Sequence, residues 1–411
     1  MPSRSDYGRI TFRDWFSTGA FESGYIAPDP KDPNLVYSVG WYGSVIRLDR
    51  RTGQTTTVFL PGPKYRYTWE TPLAFSPVDQ KTLYVGMQSL LASDDGAKTW
   101  REVSPDLTVK AGTQTSQLTN APARAGHAEE VEGEEAEAQA EGRADASQAA
   151  GPPQGEILVI APSPLQAGEI WVGTSTGLVQ LTRDGGKSWR EVTPQGLPAG
   201  SRVWRIEASP ADAETAYAAA AGPRGDLNPY AFRTRDAGRT WQKIVSGLPA
   251  RGFAHVVRED PARRNLLYAG VDKGVFVSFD GGDNWRPLQL NLPVSPVRDL
   301  YVHAGDLVAA TYGRGLWILD DLSPLRQLDE QMSARARLFR PATAVRWRWD
   351  NWQETPLERE TPAGENPPDG ALVNYYLKSP AREVTLEIRD SRGVVLRRFT
   401  NAPPASNDLP A

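Results

Sequence analysis

Between residues 20 and 320 the apolar positions fall in short runs and not at helical spacing. Leu83-Tyr-Val85, Ile170-Trp-Val172, Leu267-Tyr-Ala269 and Val275-Phe-Val-Ser278 are rich in aromatic and β-branched residues and are bounded by Gly, Pro, Asp or Asn. Short runs of this kind between turn residues predict β-strands.

The runs recur in register with a longer motif, Ser/Thr-x-Asp-x-Gly-x-Thr/Ser/Asn-Trp. It occurs at Ser93–Trp100, Thr182–Trp189, Thr234–Trp241 and Ser278–Trp285, with Ala97 replacing the second Gly in the first copy. The spacings between the Trp residues are 89, 52 and 44. The longest contains an insert at 111–155, so the underlying period is near 44 residues. A second marker, Pro followed seven residues later by Tyr or Trp, appears at Pro30/Tyr37, Pro77/Tyr84, Pro164/Trp171, Pro210/Tyr217 and Pro261/Tyr268. A third, Gly/Asn-Leu-Pro, follows three of the motifs at Gly196, Gly247 and Asn291.

Gly in the Asp-x-Gly turn accepts positive φ, and the Asp carboxylate can bond nearby N–H groups, which together specify a hairpin. The closing Trp offers a large apolar face to the adjacent unit. Four short strands fit in one period, which is one blade of a β-propeller. Six blade-like units can be counted. The first spans about 20–60, with Leu48–Gly53 at the motif's place; four motif-bearing units follow; the sixth covers about 297–320. The expected fold is therefore all-β, a propeller over 1–322.

After about 322 the pattern changes. Residues 323–345 read as a linker. Ala371–Leu377, Val384–Arg389 and Val394–Phe399, with a turn at Asp390–Gly393, read as strands of a partial immunoglobulin- or fibronectin-like β-sandwich over 346–411.

Composition changes this picture little. The chain has 411 residues with 34 Pro, 37 Gly and 13 Trp, as a turn-rich all-β protein would. Its formal charge of -4 is uneven. Residues 111–155 hold seven Glu, one Asp and two Arg, a net of -6, which leaves about +2 for the rest. With few large apolar residues, this acidic insert is expected to be disordered and tolerated as a surface insertion. No basic stripe argues for nucleic acid. There is no Cys, which excludes disulfides and Cys-ligated metals. No apolar run is long enough for a transmembrane helix, and the first residues hold no signal-peptide core.

The motif resembles the Asp-box, or BNR repeat, of sialidases, xyloglucanases and sortilin-type receptors. The wider sequence is similar to large bacterial sortilin-like and glycosyl-hydrolase-like exported proteins. Ser5–Gly8, Arg13–Phe16, Gly40–Gly43, Lys64–Arg66 and Thr311–Asp321 carry that likeness. The resemblance implies an extracellular or periplasmic location and further blades upstream of residue 1. It also implies that Asp95, Asp184, Asp236 and Asp280, with Trp100, Trp189, Trp241 and Trp285, are structural parts of outer hairpins.

Propeller ligands bind at one mouth of the central channel, on loops that lead into the innermost strands. Those loops hold Arg13, Trp15, Trp41, Tyr42, Tyr65, Arg66 and Trp69, then Arg205, His255, Arg298, Tyr312 and Arg314. Aromatic faces beside charged hydrogen-bonding groups suit sugar rings or a peptide. Asp14, Glu22, Glu70 and Asp299 are the candidate catalytic carboxyls, since glycoside hydrolysis needs a facing pair. The Arg-Ile-Pro signature of sialidases is absent. The three His, at 127, 255 and 303, show no zinc spacing, so no metal or cofactor is expected. The leading expectation is an exported propeller that binds a glycan or protein. A polysaccharide-cleaving glycoside hydrolase is the alternative, and a structural scaffold is the third.

Overall fold

The computed structural model describes residues 4–5, 9–19, 24–110, 155–328, 335–346 and 362–401. Nearly the whole insert at 111–155 lies outside them, as do Glu22 and His127. The fold is a six-bladed β-propeller followed by small extra sheets.

Blade 1 comprises strands Ile26–Pro28, Leu35–Val39, Val45–Asp49 and Gln54–Phe59. Blade 2 comprises Leu73–Phe75, Leu83–Gly86, Leu90–Ser93 and Arg101–Glu102. Blade 3 comprises Ile157–Pro162, Ile170–Thr174, Val179–Thr182 and Arg190–Glu191. Blade 4 comprises Arg202–Ala208, Ala216–Ala221, Tyr230–Thr234 and Gln242–Lys243. Blade 5 comprises Ala254–Glu259, Leu267–Val271, Gly274–Ser278 and Arg286–Pro287. Blade 6 has three strands, Val297–His303, Asp306–Thr311 and Leu316–Leu319. Each blade is an antiparallel meander, and the first strands of adjacent blades pack together around the axis. Each seam from blade 1 to blade 6 holds its own apolar cluster.

The proline marker has a simple physical origin. Each Pro follows an Asp or Ser: Asp29, Ser76, Ser163, Ser209 and Asp260. The side-chain oxygen of that residue accepts from N–H groups two or three places on, as from Leu165 and Gln166 to Ser163 at 3.3 and 3.2 Å. Pro supplies the fixed φ of such a turn. The turn joins the first two strands, and the aromatic that follows is driven into a seam: Tyr37, Trp171, Tyr217 and Tyr268 are all at most 1% exposed.

The Asp motif closes the third and fourth strands. In blade 3, Asp184 accepts from Thr182 Oγ1 at 2.8 Å, Ser188 N at 2.9 Å and Ser188 Oγ at 2.6 Å, and Thr182 Oγ1 accepts from Gly186 N at 3.0 Å. The same bonds recur around Asp95, Asp236 and Asp280. The Ser188 side chain and N–H, reinforced by Thr182, pull the Asp184 carboxyl down to about 2. A closely approaching neighbour explains the second Gly. A Cβ on Gly186, at φ +95, would lie 2.2 Å from the carbonyl of Val103 in the previous blade.

The motif Trp also links blades. Trp100, Trp189, Trp241 and Trp285 donate their indole N–H to the carbonyls of Val58, Val103, Val192 and Ile244, each in the preceding blade, at 3.2, 3.0, 2.7 and 2.9 Å. Val103, Val192, Ile244 and Leu288 in turn donate their own N–H to their blade's third strand. A single residue therefore ties its fourth strand inward and accepts the next blade's Trp outward.

Beyond Leu319 the chain turns through Asp321, at φ +59, into the short helix Ser323–Gln327. Leu322 N bonds Gly305 O at 2.7 Å, and Arg326 pairs with Asp260 at 2.9 Å. Ala336–Leu338, which the sequence pattern places in a linker, pairs with Tyr375–Leu377. Thr385–Arg389 and Val395–Thr400 form the expected hairpin. Gly364–Glu365 pairs with Arg9–Ile10, and Ser5 exchanges two bonds with Asn366. The C-terminal region is thus a set of two-stranded sheets among the described residues.

Candidate functional site

The meander puts the Asp/Ser-Pro turns at one end of the channel, the proline face. The loops into each first strand and the turns between second and third strands lie at the other, the loop face. Nearly all the site residues predicted from sequence fall on the loop face, but they form separate groups.

The most open group is aromatic. Trp41 and Tyr42 lie in a 3-10 turn, Trp41–Gly43, between the second and third strands of blade 1. Tyr42 adopts φ 58 and ψ 30, left-handed values that a side chain with a Cβ rarely takes, and its ring is 67% exposed. Gly43 carries φ 70, and a Cβ there would sit 2.9 Å from the ring of Tyr67, so the 61–72 loop leans on this turn. That loop presents Trp69, 57% exposed, and the exposed Glu70. Tyr65 and Arg66 of the same loop face elsewhere. Tyr65 donates to Glu102 at 2.7 Å, beside the Lys64–Glu102 ion pair. Arg66 bonds Asp106 at 2.7 Å, Thr108 at 3.2 Å and Gly155 O at 3.2 Å.

Arg13, Asp14 and Trp15 belong to the N-terminal segment. Asp14 accepts from Thr11 N at 2.7 Å and completes a capping box with it. One of its two carboxylate oxygens is engaged in this way. Trp15 is half exposed, and Phe16 lies under the Arg50 guanidinium at 4.3 Å.

A second group gathers at blades 5 and 6. His255 bonds Asp272 at 2.6 Å, and the other Asp272 oxygen accepts from Phe253 N at 2.8 Å. Burial lowers the His255 pKa and the Asp272 bond only partly opposes it, so the ring is held neutral at neutral pH. Arg298 lies over the Tyr312 ring at 5.8 Å, and Tyr312 and Arg314 are exposed. Trp317 donates to the Arg314 carbonyl at 3.0 Å.

The third group fills the axis, and sequence reasoning missed most of it. Arg258 donates to Asp299 at 3.0 Å, to Glu207 at 2.5 Å and to Leu300 O at 2.9 Å. Arg205 lies 3.6 Å from Asp299 and over the Tyr25 ring at 5.3 Å, so blade 4 meets blade 1 across the channel. Burial pushes the Asp299 carboxyl up, but Arg258 and Arg205 outweigh it and hold the carboxyl below its ordinary value. Glu207 and Arg258 stand three residues before Pro210 and Pro261, where blades 1 to 3 have Ala27, Ala74 and Ala161. That contrast at one repeat position was the available signal. On the proline face these residues floor a cavity of about 350 Å³ rimmed by Pro77, Pro164, Pro210, Pro261 and Tyr301.

Among the described residues no cluster of three or more His, Asp or Glu could hold a metal ion, and no helix is long and apolar enough to cross a membrane.

No protein-family model and no curated protein matches the chain. Solved structures do. A GH74 xyloglucanase from Xanthomonas campestris matches with a TM-score of 0.51 and 19% identity, over 78% of this chain and 48% of the enzyme. A GH74 enzyme from Niastella koreensis matches with a TM-score of 0.46 and 17% identity, over 72% and 44% of the two chains. The extracellular domain of a protein described as a hybrid two-component system, from B. thetaiotaomicron, matches at 0.48 and 14% identity, over 77% and 34%. The chain spans about half the length of the xyloglucanase. At such identities the likeness shows the shared propeller fold.

Proposed function

We propose that this propeller binds a polysaccharide on its loop face, with sugar rings stacking on Trp41, Tyr42 and Trp69. The backbone of Tyr42 carries the reading. A left-handed aromatic residue costs on the order of 1 kcal/mol, and such strain persists where the surroundings impose it, often at ligand sites. Here it leaves Tyr42 exposed next to the exposed Trp41, and the loop that leans on this turn carries the exposed Trp69. Flat apolar rings with polar edges suit the faces of sugars. In this reading the repeated motifs are Asp-boxes, and the protein works outside the cytoplasm as its sortilin-like and glycosyl-hydrolase-like resemblance implies.

Binding is favoured over hydrolysis because the described carboxyls nominated for catalysis are each capped, ion-paired or exposed. Asp14 serves as a cap, Asp299 is paired with Arg258, and Glu70 is on another loop and exposed. The test is affinity electrophoresis in gels containing xyloglucan or mixed-linkage glucan. The wild type is expected to be retarded, and Trp41→Ala, Tyr42→Gly and Trp69→Ala to migrate freely while unfolding at the wild-type midpoint or above. Equal retardation of all three variants would remove the platform. Release of reducing ends that is lost in Glu70→Gln would replace binding with glycoside hydrolysis.

A further inference from the structure

Each blade from 2 to 5 is sealed the same way: its motif Trp donates to a carbonyl of the blade before, and the residue after its fourth strand offers the next acceptor. The series of acceptors runs Val58, Val103, Val192, Ile244 and stops at Leu288. Among the described residues no donor reaches the Leu288 carbonyl. Among the described residues blade 6 has no fourth strand to supply one.

The edge that such a strand would cover is the Leu316–Leu319 strand. Thr311 N bonds Gly315 O, which fixes the alternation along this pair. Trp317 and Leu319 bond inward to the second strand, so the N–H and C=O of Leu316 and Ile318 point outward. In blades 2 to 5 every residue of the third strand is buried. In blade 6 this all-apolar strand has no fully buried residue, and Leu316 is 42% exposed. An open apolar edge is a template for another strand. Among the described residues no other strand pairs with it. After Leu319 the chain is held to the first turn of blade 6 by the Leu322–Gly305 bond and to blade 5 by the Arg326–Asp260 bond, and all four Trp motifs are already used.

We propose that the open edge of blade 6 is a docking site for an extended segment of a second polypeptide carrying a Trp just before its strand. Blade 5 gives the register. Arg286 and Pro287 pair with Val277 and Phe276, and Leu288 N reaches Val275 O. Transposed to blade 6, the first two strand residues of the partner pair with Ile318 and Trp317. The following N–H reaches Leu316 O, and the preceding indole donates to Leu288 O. A Pro is tolerated at the second strand position, as at Pro287, because its nitrogen faces away from the ladder.

The test uses the full chain and a fluorescein-labelled peptide of residues 278–289, which holds one complete motif and fourth strand. Saturable binding by fluorescence anisotropy is expected. A peptide with the Trp285→Ala change should bind at least about tenfold more weakly, through loss of the indole bond and its buried ring. In the protein, Ile318→Pro removes one outward N–H without breaking the inner ladder. It should abolish binding while leaving the unfolding midpoint near the wild type's. An absence of binding, equal binding of the two peptides, or wild-type binding by a folded Ile318→Pro protein would each overturn the proposal. Absence of binding is also the outcome expected if another part of the same chain already covers the edge.

Discussion

Blades 5 and 6 are neighbours with similar strand sequences and opposite surroundings. Blade 5 has a packed partner on each side, and every residue of its first three strands is buried except Arg258. In blade 6 only Val297 and Leu300 of the first strand are buried, and Tyr301 is 62% exposed, although the strand is just as apolar. Burial in a repeat ring is therefore conferred by the adjacent unit more than by the residue's own hydrophobicity. Blade 1 says the same from the other end. Its Ser38 and Ile46, on the face turned from blade 2, meet the N-terminal segment through the carbonyl of Thr18 and the backbone of Gly19.

The sharpest way to break this contrast is to remove a Trp from each blade. Trp285 is 4% exposed and bonded to Ile244, so Trp285→Ala should cost about 3–5 kcal/mol. Trp317 is only partly buried and bonds within its own turn, so Trp317→Ala should cost about 1–2 kcal/mol. Equal losses in urea titrations would show that blade 6 is as well supported as blade 5.

The next effect concerns charge. Arg258→Met strands Glu207 and Asp299 beside each other and should cost about 3 kcal/mol. Adding Glu207→Gln and Asp299→Asn should restore most of it. Arg298→Met, at an exposed position of blade 6, should change stability by less than about 0.5 kcal/mol. A costly Arg298 change with a harmless Arg258 change would reverse the picture of the axis.

Glycines give a smaller and cleaner difference. Gly186→Ala drives a Cβ into the Val103 carbonyl and should cost more than about 2 kcal/mol. Gly313, at φ +84 with nothing near its would-be Cβ, should cost about 1 kcal/mol for conformation alone.

The smallest expected effect is the part of the acid pH dependence that the motif carboxyls contribute. The folded value for Asp184 is about 2 against an ordinary 3.8. A depressed carboxyl contributes stability that is complete above the ordinary value and is lost as pH falls through the folded one. Unfolding midpoints should therefore drop between about pH 4 and 2, and Asp184→Asn should reduce that slope. An unchanged slope would assign acid sensitivity elsewhere.

Period, blade count and turn chemistry were legible in the sequence because each is a local pattern repeated at a fixed interval. The axis was not, because its partners come from different blades: Arg258 meets residues 51 and 41 positions away. Arg66 shows the same limit. Its place in an aromatic and basic run suggested a ligand surface, yet its partners at Asp106 and Gly155 lie 40 and 89 positions along the chain. The C-terminal pairing of Ala336–Leu338 with Tyr375–Leu377 escaped for a related reason, since a strand of three residues carries no period of its own.

Arg66 has one more consequence. By holding Asp106, Thr108 and the Gly155 carbonyl with one guanidinium, it buckles together the two points where the chain departs from and rejoins the propeller. A stretch spliced between those points changes length without altering any strand register on either side. The buckle is a natural graft site, and it shows how such a protein could acquire or shed a long passenger sequence in one genetic step while its blades stay as they are.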